Sequence, residues 1–588
     1  MDSFLKHYPY CYGYWKKYAD IVKKHHGFDE VEKIFERGVE AIPLSIDLWI
    51  HYLEWTIKQR FKDKNENNDE HIRKLFNRAL EVCGMEFKSD RLWQMALDWE
   101  SQKRNSHNVF ALYEKLITIP TQSYSNHYTS ITEIVQSTDP LEILEAEELR
   151  KLKLQIQKER KEAAEAAKAA QPNEDAVIAA TLIPDTAADA LGKSTDAITD
   201  PHDLPLSEEE EQKLLKEKIL ASREIIHKKT AEEVTKRWQF EEAVKRPYFH
   251  VKPLEKSQLK NWREYLDFEI KEGSKKRIAL LFERCLIACA LYEEFWIKYA
   301  RYTYDSLKNI NEARNIFRRG CIVHLPMKVN LVLEWAEFEE KVSGFDEALS
   351  ILDEYEKRYP GIIAVKVHRL GILRRSGNLD SCENILEETL KSVSNATVKA
   401  FWAHKYARFC LKVLQNSSKA KEILTEVVKE QPSNAKLAMH LVDVLYTDND
   451  IDGMLNVLEE CTQRENLTAE ERIAFSQCRL DFLDDLACDV KLVVAAKLAH
   501  ENLHFEIKEK KQKRKAESIE GGGGGGAAAA AAAAAATYTG GDGAGAKRTK
   551  VDQDWYQQFQ QPSGSGDYSS QQFYQQQWAN YYSGNWQQ

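Results

Sequence analysis

Residues Trp296 to Gly320 read WIKYARYTYDSLKNINEARNIFRRG. Trp296, Tyr299 and Tyr302 stand three apart, a spacing that places them on one side of a helix. After a polar turn, Ile316-Phe317-Arg318-Arg319-Gly320 brings a second apolar face, and Pro326 stops the run. This spacing predicts a helix, a short turn and a second helix. One such pair cannot bury its own aromatic face, so the fold is decided by whether the pattern recurs.

It recurs in both directions. First helices carry Trp15/Tyr18/Ile21, Trp49/Tyr52/Trp55, Trp93/Ala96/Trp99, Trp262/Tyr265/Phe268 and a degenerate Val332/Trp335/Phe338. An acid follows several of these, as Glu100, Glu269 and Glu339. Second helices carry Ile34-Phe35-Glu36-Arg37-Gly38, Leu112-Tyr113-Glu114-Lys115 and Leu281-Phe282-Glu283-Arg284-Cys285. Leu75-Phe76-Asn77-Arg78-Ala79 comes later in its unit, after a polar loop spanning Lys62 to Asp69. Pro43, Pro120, Pro360 and Pro432 punctuate other second helices. The period is 34 residues from Trp15 to Trp49 and 44 from Trp49 to Trp93. Past Pro360 the code fades through Phe401/Trp402/Tyr406/Phe409, Leu437 to Tyr446 and Ile473 to Leu483. The expectation is an all-α solenoid whose core includes these Trp, Tyr and Phe positions, with Trp402 among them. Glu and Arg of the Phe-Glu-Arg blocks are expected to pair between neighbouring helices.

The organisation reads as residues 8–135, a first array; 136–250, a charged helical insert; 251–500, a second array; and 501–588, a disordered tail. Within the insert, 171–206 is rich in Ala, Asp, Thr and Pro and reads as a flexible linker, and Ser207 with Glu210 forms a capping box. The tail holds a basic cluster at Lys508, Lys510, Lys511, Lys513, Arg514 and Lys515, then six Gly from Gly521 and ten Ala from Ala527. Gln, Tyr, Trp, Ser and Gly dominate from Asp554.

Composition narrows the function. The formal net charge of −10 disfavours nucleic acid except at a local basic patch and favours protein partners. Ten scattered Cys without a CxxC pair read as reduced, buried small hydrophobes of an intracellular protein. The opening residues lack a signal-peptide core, and no apolar run approaches a membrane span. The sequons at Asn395, Asn416 and Asn466 then read as chance matches. No P-loop, HExxH, GxSxG or metal-spaced Cys/His set is present, and Gly540 to Gly545 lacks the strand and helix of a dinucleotide site. His25-His26 reads as loop surface. No enzyme activity, cofactor or metal is expected. The cluster Lys508 to Lys515, with Lys547 to Lys550, reads as a nuclear localisation signal, with an RNA-backbone contact as its rival.

Paired helices with Trp-x-x-Tyr-x-x-aromatic in the first and Phe-Glu-Arg in the second resemble half-a-TPR (HAT) repeats, found mainly in RNA-processing proteins. Two arrays split by a charged insert, the opening Tyr8-Pro9-Tyr10-Cys11-Tyr12-Gly13-Tyr14-Trp15 and the stretch Arg246-Pro247-Tyr248-Phe249-His250-Val251-Lys252-Pro253-Leu254 resemble the pre-mRNA-processing factor 39 family. The resemblance implies a nuclear scaffold that bridges protein subunits of the U1 small nuclear ribonucleoprotein at the 5′ splice site. It also implies pairing as homodimers through the C-terminal repeats. For that contact Leu437, Leu441, Leu445, Phe475, Phe482 and Leu483 are the candidates, because a solenoid end that stays apolar needs a cover. Members usually carry an acidic extension before the first repeat, so the first helix here is expected to need another cover. The competing readings are another HAT scaffold, of cleavage-polyadenylation or crooked-neck type, and a tetratricopeptide-like co-chaperone adaptor.

Overall fold

The computed structural model describes residues 1–25, 27–60, 66–170 and 207–520; among them there are helices and turns and no strand. The linker 171–206, His26, and everything expected from Gly521 onward, including Lys547 to Lys550, lie outside the described residues. The chain divides into two compact units, the first Met1–Val393, the second beginning at Ser394.

Unit 1 opens with pairs Tyr12–His25 and Phe28–Ala41, Ile46–Arg60 and Glu66–Cys83, Asp90–Gln102 and Ser106–Leu116. Glu66 to Asp69, expected in a loop, form the first turn of their helix. Helix Tyr124–Ser137 packs against Glu208–Ala243, which lies beyond the linker. That 36-residue helix starts on the Ser207/Glu210 capping box, in which each side chain bonds the other's backbone N–H. Helix Ala146–Ala170 runs beside it, held by Lys153–Glu211 at 3.1 Å and Lys218–Glu159 at 2.5 Å. Thr230 of the central helix donates to the Ile117 carbonyl at 2.7 Å, and its Arg237 pairs with Glu269 of the following repeat. The charged stretch thus supplies packing to the repeats on both sides. Four further pairs follow: Lys256–Glu272 with Lys275–Cys289, Glu293–Asp305 with Ile310–Arg318, Val329–Val342 with Phe345–Arg358, and Ile363–Arg375 with Leu379–Ser392.

The two rows of unit 1 meet. Tyr10 is buried with its ring 4.2 Å from His324, which in turn lies 5.1 Å from the Trp296 ring. His324 sits in a one-turn π-helix, Arg319–His324, at the end of its second helix. Arg319 Nη2 also donates to the Tyr10 hydroxyl at 3.4 Å. A second seam joins Glu86 to Arg284 at 3.3 Å and Phe87 to Trp238 at 5.9 Å between ring centroids. Tyr10 of the opening segment is therefore covered by its own chain, while Phe4, Tyr8 and Tyr14 stay exposed.

Unit 2 comprises Ala396–Lys412 with Ser417–Glu430, Ala435–Thr447 with Ile451–Gln463, and Ala469–Leu486 with Val490–Glu520. Asn395, Asn416, Asn434, Asp450 and Thr468 cap these helices by accepting backbone N–H bonds. Two of the three sequon asparagines are thus helix caps. The five punctuating prolines each follow a helix end by two to four residues. Eight cysteines are buried, Cys11 is half-buried and Cys488 is exposed, which corrects the uniform burial expected.

Candidate interaction surfaces

The recurring residues assemble into one device. In four copies the first-position Trp is buried and its indole N–H bonds the carbonyl that ends the preceding turn, Trp15 to Pro9 at 2.8 Å, Trp49 to Pro43 at 2.7 Å, Trp296 to Ala290 at 2.9 Å and Trp93 to Gly84 at 3.0 Å, whereas Trp262 is buried without such a bond. Glycine at the end of the Phe-Glu-Arg block lets this Trp approach. A Cβ on Gly38 meets Leu48 at 3.1 Å and Trp15 at 3.4 Å, and one on Gly320 meets Leu331 at 2.9 Å and Trp296 at 3.2 Å.

Tyr, Glu and Arg then join successive repeats. Tyr52 donates to Glu36 of the preceding repeat at 2.7 Å, and Arg78 of its own repeat reaches the same carboxylate at 2.7 Å. Glu241 takes Tyr265 at 2.8 Å and both Arg284 nitrogens at 2.5 and 2.6 Å. Glu283 binds Arg319 at 3.0 and 2.7 Å and raises the Tyr299 hydroxyl, behind burial as the larger cause. Asp2 plays the glutamate's part for the repeat of Trp15, accepting from Tyr18 and Arg37 at 2.7 Å each. Each arginine also lies over the Trp of its repeat, as Arg37 over Trp15 at 5.5 Å and Arg78 over Trp49 at 5.3 Å. A second row uses the acid after the aromatic triplet: Glu100 binds Arg73 at 2.6 Å, Glu269 binds Arg237 at 3.1 Å and Glu339 binds Arg314 at 2.6 Å.

The charges of the Glu241–Arg284 rung are inside, whereas Glu36 with Arg78 and Asp2 with Arg37 lie at the surface. Burial opposes ionisation of Glu241, and the Arg284 guanidinium and Tyr265 hydroxyl outweigh it, leaving its carboxyl below the ordinary range. Glu86, on the far side of Arg284, is pushed up to about 7 by burial. Burial, then Arg319, lowers His324 to about 3.

Among the expected core residues, Trp15, Trp49, Tyr52, Trp93, Trp99, Trp262, Tyr265, Trp296, Tyr299 and Trp402 are buried. Tyr18 and Phe268 are half-buried. Two positions depart from the reading. Ile21 is 48 % exposed. Trp335, which holds the second position usually taken by Tyr, is half-buried and donates its indole N–H to Glu339 of its own helix at 3.3 Å.

The candidates for contact between copies are mostly interior. Leu437, Leu441, Leu445, Phe475 and Leu483 are buried within unit 2, and Phe482 is half-buried against Tyr446 at 5.3 Å. The open apolar face lies on the terminal helix Val490–Glu520. Val490, Val494, Leu498 and Phe505 are each at least 59 % exposed and, spaced by four, four and seven, share one side. Ala496, Leu503 and Ile507 on the opposite side are buried. The basic cluster occupies later turns of the same helix, with Lys508, Lys510, Lys511 and Lys513 exposed and Arg514 and Lys515 also within it. A flexible tail was the expectation there. Lys, Glu, Gln and Ala favour helix, and Ile507 still packs inward, so the helix runs to Glu520 before the glycines begin.

Among the described residues no group of three or more His, Cys, Asp or Glu is placed to hold a metal ion. No helix there is long and apolar enough to cross a membrane.

Residues 1–133 match the PRP39 N-terminal HAT repeat and residues 235–375 the PRP39 C-terminal HAT repeat. The human pre-mRNA-processing factor 39 is 37% identical over 505 residues, covering 85% of this chain and 72% of its own. The Saccharomyces cerevisiae U1 small nuclear ribonucleoprotein component PRP42 is 22% identical over 325 residues, 54% of this chain and 51% of its own. In structure the chain is similar to CstF-77, with a TM-score of 0.50, 11% identity and coverage of 86% and 89%, a likeness of fold alone. The chain belongs to the pre-mRNA-processing factor 39 family of HAT-repeat proteins.

Proposed function

We propose that this chain is a non-enzymatic scaffold of nuclear pre-mRNA splicing that bridges protein subunits of the U1 small nuclear ribonucleoprotein during 5′ splice-site recognition. The observation that carries the reading is its identity to a protein named for pre-mRNA processing, over a span that includes both repeat arrays. The similarity to a U1 component supports the particle. The structure suits the role physically: its repeated charges are spent on each other inside the rungs, leaving helix surfaces for partners.

Two copies pair through the terminal helix in this reading. The stripe from Val490 to Phe505 is about 22 Å long. Closed two-fold pairing leaves no open end to polymerise. The lysines beyond the pairing face serve nuclear import. Deleting Lys508 to Lys515 then lowers nuclear accumulation, and unchanged localisation after that deletion returns the cluster to solvated surface.

Recovery of a tagged chain from nuclear extract tests the main claim. U1 RNA and U1 protein subunits in the eluate are expected. A different ribonucleoprotein, or chaperone C-terminal peptides, in their place contradicts it.

A further inference from the structure

The two stretches that single this chain out by sequence, Tyr8 to Trp15 and Arg246 to Leu254, lie more than two hundred residues apart and meet in unit 1. Ring centroids of Tyr14 and Phe4 are 4.6 Å apart, of Phe4 and Tyr8 5.3 Å, and of Tyr8 and Phe249 6.2 Å. Burial, Asp47 and then the nearby Tyr248 phenol raise the Tyr12 hydroxyl, which places the second stretch beside the first. Phe249 is buried and anchors the loop. The others are not spent on the core: Phe4, Tyr8, Tyr14 and Tyr248 are 37%, 38%, 42% and 44% exposed. Aromatic side chains seldom stay this open in a contiguous row unless something covers them.

The two stretches are themselves rich in bases, and Asp47 is a carboxylate near Tyr12. Residues 1–17 and 244–256 hold seven Lys or Arg and two carboxylates, in a chain with 83 bases and 93 acids. One of the two, Asp2, is taken up by Tyr18 and Arg37. Lys17 Nζ sits 5.1 Å from the Tyr14 ring centre, while Lys245 and Lys252 are exposed on the loop. Arg246 holds the loop by donating to the Lys252 carbonyl at 2.8 Å, and Lys252 N–H donates to His250 Nδ1 at 2.9 Å. The loop is thereby shaped with its lysines free to reach outward.

We propose that this aromatic, basic surface is a platform for single-stranded RNA. Open rings flanked by lysines suit unpaired bases stacking on ring faces while the backbone meets the cations, and duplex RNA offers no such base faces. An acidic peptide uses the lysines and leaves the rings uncovered. A proline-rich peptide uses the rings and leaves the lysines unpaired. Only RNA answers both features. The surface is built from residues of unit 1, whereas the terminal helix and its basic cluster belong to unit 2.

Fluorescence anisotropy of the full chain with a short labelled oligouridylate tests this, with duplex RNA, a proline-rich peptide and an oligoglutamate as competitors. Tyr8→Ala and Tyr248→Ala are each expected to weaken binding about tenfold, and Tyr248→Phe to restore it. Lys252→Glu is expected to flatten the salt dependence by about 0.7 in log–log slope. Circular dichroism and thermal melting of the variants are expected to match the parent, since these side chains are exposed. Deleting Lys508 to Lys515 is expected to leave the tyrosine effects intact. The proposal is overturned by oligouridylate binding that ignores Tyr8 and Tyr248, by equal affinity for duplex, by displacement with either peptide at comparable concentration, or by no binding at micromolar protein.

Discussion

Unit 1 and unit 2 are both stacks of helix pairs, and they are held together by different means. In unit 1 several steps carry a carboxylate from one element clamped by Tyr and Arg of the next, most deeply at Glu241 with Tyr265 and Arg284. In unit 2 the corresponding second helices read Ile423-Leu424-Thr425-Glu426 and Val457-Leu458-Glu459-Glu460, with no Arg after the Glu. Leu437, Ala438, Leu441, Val442 and Leu445 fill the interior of unit 2, and its Glu459–Arg479 pair, at 2.8 Å, is partly exposed. The difference teaches what the rungs are for. A buried ion pair adds little net stability over a well-packed apolar contact, but losing one partner is costly, so it enforces one register between repeats. Apolar packing alone enforces less, and it lets a helix such as Val490–Glu520 carry apolar side chains on two faces.

The largest expected effect comes from breaking a rung. Arg284→Ala removes the partner of Glu241 and the neighbour of Glu86 and is expected to cost roughly 3–5 kcal/mol, because a buried carboxylate is left uncompensated. Hydrogen exchange is expected to show loss of protection in residues 235–300, with residues 396–486 unaffected. Equal loosening of both units contradicts the distinction. Trp296→Ala is expected to cost about 3–5 kcal/mol by cavity formation, while Trp335→Ala, at a half-buried site outside the device, costs less than about 2 kcal/mol. Thermal melting of the two variants side by side checks the ordering, and equal losses place Trp335 in the core after all.

A smaller effect sharpens the comparison through pH. In unit 2 the His404 and His440 rings stack at 3.8 Å, and burial first, then neighbouring bases, lowers them to about 3 and about 4. A histidine whose folded pKa is depressed is neutral in the folded chain where the unfolded chain already binds a proton. Unit 2 is therefore expected to lose stability as pH falls from about 6.5 toward 4, with no change above about 7.5. Urea unfolding of the parent and of His404→Phe at pH 7.5 and pH 5 reads this out. A parent as stable at pH 5 as at pH 7.5 contradicts it.

The helix pairs were legible because Trp, Tyr and Phe at i and i+3 have no other efficient burial than stacked helices. Glu100, Glu269 and Glu339 were visible as a pattern, yet their partners Arg73, Arg237 and Arg314 were not, since those arginines lie on the preceding helix at no fixed spacing. Asp2 was unreadable as a rung because it belongs to no Phe-Glu-Arg block. The interior placement of Leu441 and Phe475 against the open Val494 and Leu498 was also hidden. Apolar residues on a helix show how wide its apolar face is, and only its neighbours decide which part is covered.

The claim that two copies join into one scaffold through the terminal helix is tested most directly by light scattering of the full chain beside Leu498→Asp. The account predicts twice the chain mass of 67.9 kDa at micromolar concentration, falling to a folded single-chain mass in the variant. A parent of single-chain mass, or a variant that stays paired, contradicts it.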